Sequence, residues 1–280
     1  MNRSQEILDY LSTETTPSTV VLAPNAPPVV HAQGQVNVIL SIVLSSGDVL
    51  DTLLAFKAMT TKRELDPASL AGTFSFGMRN VGRIRITYLT QRGSKLLMVT
   101  RIPFSIPELG LLCGDPALAD RLFKLTQLPG GGLLAVSGSD AVANSALVYA
   151  LLDKVNQECR KIIGIVENTL TYLMGHRNSI VVQCEVGADV ATLAEGVESL
   201  LGLAPMVLYV GGVRSPDDLS ILACAAQPGR LIVLSSNVVD AGSLADRFMA
   251  QTNISASDGF SKTLVRVATD SKGKLTIRID

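Results

Sequence analysis

Apolar and polar positions follow one rhythm in the first third of this 280-residue chain and another in the rest. The first third mixes helix and strand. Residues 4–11 and 48–59 repeat apolar positions at helical spacing, the second behind Ser46 and Gly47. Residues 19–22 and 29–31 predict short strands around an Asn-Ala-Pro-Pro turn, and 73–78, 82–90 and 95–102 predict three longer ones. In the middle one, Arg83, Arg85 and Thr87 alternate with Ile84, Ile86 and Tyr88. Strict alternation means one apolar and one polar face, so both arginines project on the same side. Residues 104–129 predict a linker with a helix at 116–125, closed by a Pro-Gly-Gly-Gly hinge.

From Leu133 the pattern becomes alternating strand and helix. Strands are predicted at 133–136, 162–166, 180–186, 206–210, 231–235, 264–268 and 275–279, and helices at 143–158, 189–201, 215–226 and 241–251. Strands separated by helices of this length imply a mostly parallel sheet covered on both faces, with ligands beyond the carboxyl ends of the strands. No internal repeat or low-complexity tract interrupts the pattern.

Composition narrows the possibilities. Hydrophobic residues make up 47% and charged residues 18%, enough to bury a sizeable core and too apolar for disorder. Trp is absent and aromatics are few, so the core is expected to be aliphatic. The formal net charge of −1 gives no basic excess for nucleic acid or an anionic membrane. Apolar runs such as 36–44 are too short to span a bilayer, and the first residues lack an apolar signal core. The expectation is a soluble cytoplasmic protein. Cys113, Cys159, Cys184 and Cys224 lie far apart without a CxxC, which suits reduced thiols better than zinc or disulfides. His31 and His176 are isolated and read as surface or turn residues, so no metal site or Ser/His/Asp constellation is expected.

The candidate chemistry lies in the first strand–turn–helix of the second half. A P-loop reads GxxxxGK[ST], and residues 138–145 read Gly-Ser-Asp-Ala-Val-Ala-Asn-Ser. Gly138 and Ser145 fit; Ala143 replaces the second glycine and Asn144 the lysine. Phosphates need backbone amides turned inward in left-handed conformations, which Ala and Val resist, and a lysine charge, which Asn144 lacks. Asp140 adds a negative charge close to where phosphates would sit. Taken by themselves, one Gly and one Ser after a strand describe an ordinary βα turn.

Read in order, several further segments change that. Pro17–Leu22 as PSTVVL with APPVV at 26–30, Thr73-Phe74-Ser75-Phe76, Arg83-Ile84-Arg85-Ile86, Gln91-Arg92-Gly93 and Thr100-Arg101-Ile102-Pro103 match an ordered N-terminal series. Val166-Glu167-Asn168-Thr169, Gln183-Cys184-Glu185-Val186, APMVLYVGGVR at 204–214 and AAQPGRL at 225–231 through Asn237 match a C-terminal one. Over nearly its whole length the chain resembles the PilT/GspE-type motor ATPases of type IV pili and type II secretion. The resemblance implies a PAS-like α+β domain over 1–104, a linker over 105–130 and a RecA-like domain, the P-loop NTPase fold, over 131–280. The family's C-terminal helical domain is expected to be absent, since the sequence stops just past its last strand.

The departures fall on the chemistry. By the resemblance, Asn144 stands for the Walker A lysine, Gly212 for the Walker B acid and Met206 for the acid before that strand. Arg230 and Asn237 stand for the two histidines of the His box, and Asn168 for the Asp-box acid; Cys184, Gly187 and Ala188 stand where the family has arginine and histidine. Gly138, Ser145, Glu167, Glu185 and Arg214 are kept. Phosphoryl transfer depends on positioning and charge neutralisation, and loss of one preorganised group costs about 10²–10³ in rate. The expectation is a catalytically inactive homologue, structural or regulatory, in a type IV pilus or type II secretion system with twitching motility. Its partners would be PilT-like subunits of a homo- or hetero-oligomeric ring, a hexamer in the family, and the pilus or secretion machinery. No cofactor is expected, ATP and Mg²⁺ entering only if the altered loop still binds them. In the family, N-terminal arginines reach a neighbour's nucleotide; Arg83, Arg85 and Arg101 match them and either act in trans or simply pack on a strand face. The alternatives are a weak ATPase, with Glu167 as acid and Lys161 or Arg230 as substitute cation, and a nucleotide sensor.

Overall fold

A computed structural model describes the chain except residues 14–17, 33–34, 61–67, 80, 214–215, 238, 255–258 and 271–273. It divides into two units, Met1–Ser105 and Ile106–Asp280.

The first unit contains helices α1 (Ser4–Thr13) and α2 (Ser46–Lys57) and strands β1 (Ser18–Leu22), β2 (Val29–Ala32), β3 (Gln35–Val38), β4 (Ala71–Met78), β5 (Gly82–Gln91) and β6 (Ser94–Ile102). The strands form one antiparallel sheet in the order β3-β2-β1-β6-β5-β4. Alternation decides its faces. Ile84, Ile86 and Tyr88 of β5 join Leu97, Val99, Val20, Leu22, Phe74 and Phe76 in a core closed by Ile7, Leu8 and Leu11 of α1 and Val49, Leu53 and Phe56 of α2. Each large apolar side chain buried in this way contributes about 1.5–3 kcal/mol. The start of α2 is fixed by a reciprocal capping box between Ser45 and Asp48. Strand β3 carries no clear sequence period of its own and was not expected; β2 supplies its partner edge.

The second unit contains α3 (Leu109–Cys113), α4 (Pro116–Leu125), β7 (Gly132–Ser137), α5 (Ala141–Glu158), β8 (Ile162–Glu167), β9 (Ile180–Glu185), α6 (Leu193–Leu201), β10 (Val207–Gly211), α7 (Pro216–Ala225), β11 (Leu231–Ser236), α8 (Ala241–Met249), β12 (Ser261–Thr269) and β13 (Leu275–Ile279). The sheet order is β13-β12-β7-β11-β10-β8-β9. Every neighbouring pair is parallel except β12 with β13. This is the mostly parallel α/β arrangement that the strand–helix alternation implies, and it suits the RecA-like domain that the resemblance implies.

The central strands are buried on both faces, which explains their continuous apolar runs. Leu133, Ala135, Leu208, Val210, Ile232 and Leu234 face α6, α7 and α8. Tyr209, one residue out of phase with Leu208 and Val210, turns to the opposite face and meets Tyr149 of α5. Helix α5 therefore covers one side of the sheet and α6–α8 the other.

Two local expectations change. The Pro-Gly-Gly-Gly stretch is no free hinge. Gly132 donates to Arg230 O at 3.0 Å, Gly130 O accepts from Gly229 at 2.9 Å, and a Cβ on Gly130 would lie 2.1 Å from Gly259 O. These glycines are required because three backbones meet there. Helix α6 begins at Leu193 rather than near residue 189, because Thr192 caps it and Val190 is still bridged to Val186.

Candidate functional site

The turn joining β7 to α5 presents the N-terminus of an 18-residue helix at the carboxyl end of the sheet, where a parallel α/β fold places its ligands. The amides there are already taken. Asp140 is the N-cap, and its Oδ1 accepts from Val142 N at 2.9 Å and Ala143 N at 3.1 Å. A carboxylate at this point satisfies orphan amides and complements the helix dipole. It does so with the hydrogens a phosphate would need. No residue from 138 to 145 adopts a positive φ, so the amides form a capped helix start and not an inward-turned nest.

Asn144, in the lysine position, points away from any ligand. Its Nδ2 donates to Gly138 O at 2.8 Å and to Ser236 O at 3.1 Å, and the residue is buried. It ties the turn after β7 to the end of β11. Gly138 is kept for close approach: a Cβ there would lie 2.2 Å from Val267 O and 2.7 Å from Asn144 Oδ1. Ser145 is buried as well. The described residues of the turn thus do not fit a nucleotide phosphate with its Mg²⁺: none of residues 138–145 carries a positive charge, the amides of Val142 and Ala143 are capped and the serine is buried.

Behind the turn, Glu167 at the end of β8 is buried in a polar cluster. Its Oε2 accepts from Tyr149 OH at 2.7 Å and Thr171 N at 3.1 Å, and its Oε1 from Tyr209 OH at 3.1 Å. Gln183 donates to Tyr149 OH at 3.2 Å and Tyr172 O at 2.9 Å and accepts from Met174 N at 2.7 Å. Glu185 accepts from Leu170 N at 3.1 Å. Burial, first, and the neighbouring Glu167 carboxylate hold both Tyr149 and Tyr209 well above the usual phenol pKa, so they remain donors. Glu167 is consequently a packed acceptor that organises the segment after β8. A Cβ on Gly211 would lie 2.5 Å from its Oε1, so the cluster also dictates that glycine. Sequence reading quoted Gln183 and Tyr209 only within matched segments, with no role in this cluster, and did not name Tyr149. The available signal was a lone tyrosine inside each of two otherwise apolar runs, 146–152 and 207–210.

The other candidates are placed as follows. Gly212 has φ 75°, a left-handed turn after β10, donating to Ser235 O at 3.0 Å. Arg214 lies outside the described residues. The two substitute cations are not at the turn. Arg230 precedes β11 and donates to Pro205 O at 2.9 Å and Ala225 O at 2.6 Å, closing the end of α7. Lys161 precedes β8 and donates to Thr126 O at 2.8 Å. Both sit at the amino end of parallel strands, roughly 17–20 Å of strand away from the turn. Among the described residues no group of three or more His, Cys, Asp or Glu could hold a metal ion.

The three arginines of the first unit do not share a face. Arg85 pairs with Thr100 on the polar side of the sheet, and Arg83 shares that side. Arg101 lies opposite the fully buried Ile84, at the end of the core side, and its Nε donates to Val81 O at 2.8 Å.

No family model matches the chain. It is 25% identical over 244 residues to the type IV pilus ATPase PilU of Pseudomonas aeruginosa, covering 87% of this chain and 62% of PilU. It is 25% identical over 232 residues to the type IV pilus retraction ATPase PilT of the same organism, covering 82% of this chain and 65% of PilT. A twitching motility protein of Neisseria gonorrhoeae matches at 25% over 190 residues, 67% of this chain and 49% of that protein. The chain thus spans less than two thirds of the length of these curated relatives. A crystal structure of the pilus retraction motor PilT with bound ADP superposes with a TM-score of 0.75 at 24% identity, over 100% of this chain and 82% of that one. The ATPase DotB of Legionella pneumophila superposes at 0.68 with 14% identity, over 99% and 78%. The ordered motifs, the two-unit architecture and these relatives agree: the chain is similar to the PilT/GspE-type motor ATPases and shares their fold.

Proposed function

We propose that this chain is a non-hydrolysing member of a pilus or secretion motor, a structural or regulatory subunit that keeps the motor fold without its chemistry. The observation that carries this reading is the Asp140 carboxylate on the Val142 and Ala143 amides. A phosphate arriving there meets a negative charge instead of free donors, and Asn144 offers no positive charge to offset it. Glu167, the remaining acid near the site, accepts from two tyrosines and an amide, which does not suit it to activate water.

The relatives suggest the setting: a cytoplasmic ring of PilT-like subunits, six in the family, serving a type IV pilus and twitching motility, or the related type II secretion machinery. Arg83 and Arg85, side by side on the polar face of β5, would serve an active neighbour's nucleotide in such a ring. Arg101, on the other face, is assigned a structural part. The direct test is Mg²⁺-dependent phosphate release from ATP by the purified chain. The expected result is no turnover above a protein-free control; turnover that Glu167→Gln abolishes in a still-folded protein would overturn the reading. In a mixed assembly with an active PilT-like ATPase, Arg85→Ala should lower the partner's rate, and an unchanged rate removes the trans role.

A further inference from the structure

The β12–β13 hairpin carries charge that the motor fold does not use. In its register Arg266 lies directly opposite Arg278, so both side chains leave the same face. Leu264 on that face packs against the core formed by α6, α7 and α8, so the arginines lie on the side of the sheet away from α5. Like charges directly opposed on a ladder repel each other, so the pairing needs compensating anions. Two are present, and both are spent on one partner. Arg266 Nε bonds Asp240 Oδ2 at 3.2 Å, and its NH1 meets the Asp280 carboxylate. No ion pair joins the exposed Arg278 to an acid among the described residues.

Arg278 instead lines a hollow of about 600 Å³, together with Ser137, Gly138, Asp240, Arg266 and Thr276. That volume falls within the range of small-molecule sites and exceeds what a bare inorganic ion fills. We propose that the hollow binds a phosphate-bearing small molecule, its phosphate seated on Arg278 beside Arg266. Two guanidiniums across a ladder suit a phosphate better than a carboxylate, because its three peripheral oxygens can take the Arg278 fork and still face the charge of Arg266, whose Nε and NH1 are held by Asp240 and Asp280. The hydroxyl of Thr276, paired with Ala268 one step along the same face, adds a further donor. The hollow adjoins the turn at Gly138 but draws its cationic donors from β12 and β13. It requires neither the α5 amides nor a P-loop lysine, and it stands whether or not the chain hydrolyses ATP.

The test is calorimetric titration of the whole chain with inorganic phosphate and with glycerol phosphate, without Mg²⁺ and at ionic strength held constant with sodium chloride. Saturable one-site binding is expected, at least threefold tighter for the organic phosphate. Arg278→Ala should weaken it tenfold or more, and Arg278→Lys, which keeps the charge but loses the fork, about threefold. Asp240→Asn, which removes the carboxylate facing the hollow, should tighten it. Arg92→Ala, in the first unit, should change nothing. Heat that never saturates, or binding by Arg278→Ala within twofold of the unaltered chain, would overturn the proposal. Because Arg278 is exposed, melting temperatures of its variants should match the parent and confirm that any loss of binding is local.

Discussion

A carboxylate at a helix N-cap and a phosphate at a P-loop compete for the same backbone hydrogens. In this chain the carboxylate is covalently present at Asp140 and holds two of them, those of Val142 and Ala143. Asp140→Ala should lower stability by about 0.5–2 kcal/mol, read from urea melts, as removal of an N-cap generally does. It should not by itself bring Mg-ATP binding, because Asn144 still supplies no charge and Ser145 is still buried. Gly212 gives a second residue-scale prediction. The resemblance matches it to the Walker B acid, but at φ 75° a side chain is strained. Gly212→Glu should therefore cost about 1–2 kcal/mol and restore no turnover, measured by thermal melts alongside phosphate release. Cys113 offers a chemical check. Burial, with Asp115 adding to it, pushes its thiol up to about 11, so at pH 8 a maleimide should label the exposed Cys224 well before Cys113.

Elements were legible where one period dominates. The alternation in β5 gave both its faces, and the βα rhythm after residue 132 gave the parallel sheet. Four-residue β3 and five-residue α3 escaped because neither is long enough to show a period. The candidate site was legible only in outline. That Asn144 matches a lysine position followed from the resemblance, but not that its amide would bridge Gly138 and Ser236, the latter 92 residues away. The same holds for Glu167. Its position was read as a leftover acid, whereas the tyrosines that saturate it come from α5 and β10 and meet it only once the sheet is assembled. This distinction is testable. Glu167→Gln replaces one acceptor oxygen by a donor among hydroxyl and amide donors, leaving buried groups unsatisfied at about 1–3 kcal/mol each. A marked loss of stability is expected, seen in urea melts. A variant as stable as the parent would mean that the carboxylate serves something other than packing.

At the scale of the molecule, each unit encloses its own core. Residues 1–105 bury Ile7, Leu8, Leu11, Val49, Leu53 and Phe56 against one antiparallel sheet, and none of these depends on residues beyond 105 for its place in that core. The sheet of the second unit closes on α6–α8 in the same self-contained way. A domain of about 100 residues with a core of its own ordinarily folds alone. The fragment 1–105 should therefore melt cooperatively and give a dispersed amide spectrum without the rest of the chain. Phe56→Ala, which empties the centre of the α2 contact, should unfold that fragment, at a cost of about 3–5 kcal/mol. In the full chain the same substitution should leave the melting of the second unit in place, because α5 and the sheet around Tyr209 are built from residues after 106 alone. Loss of both transitions together would mean that the units fold as one, and a subunit role would then rest on a single rigid body instead of two independently stable parts.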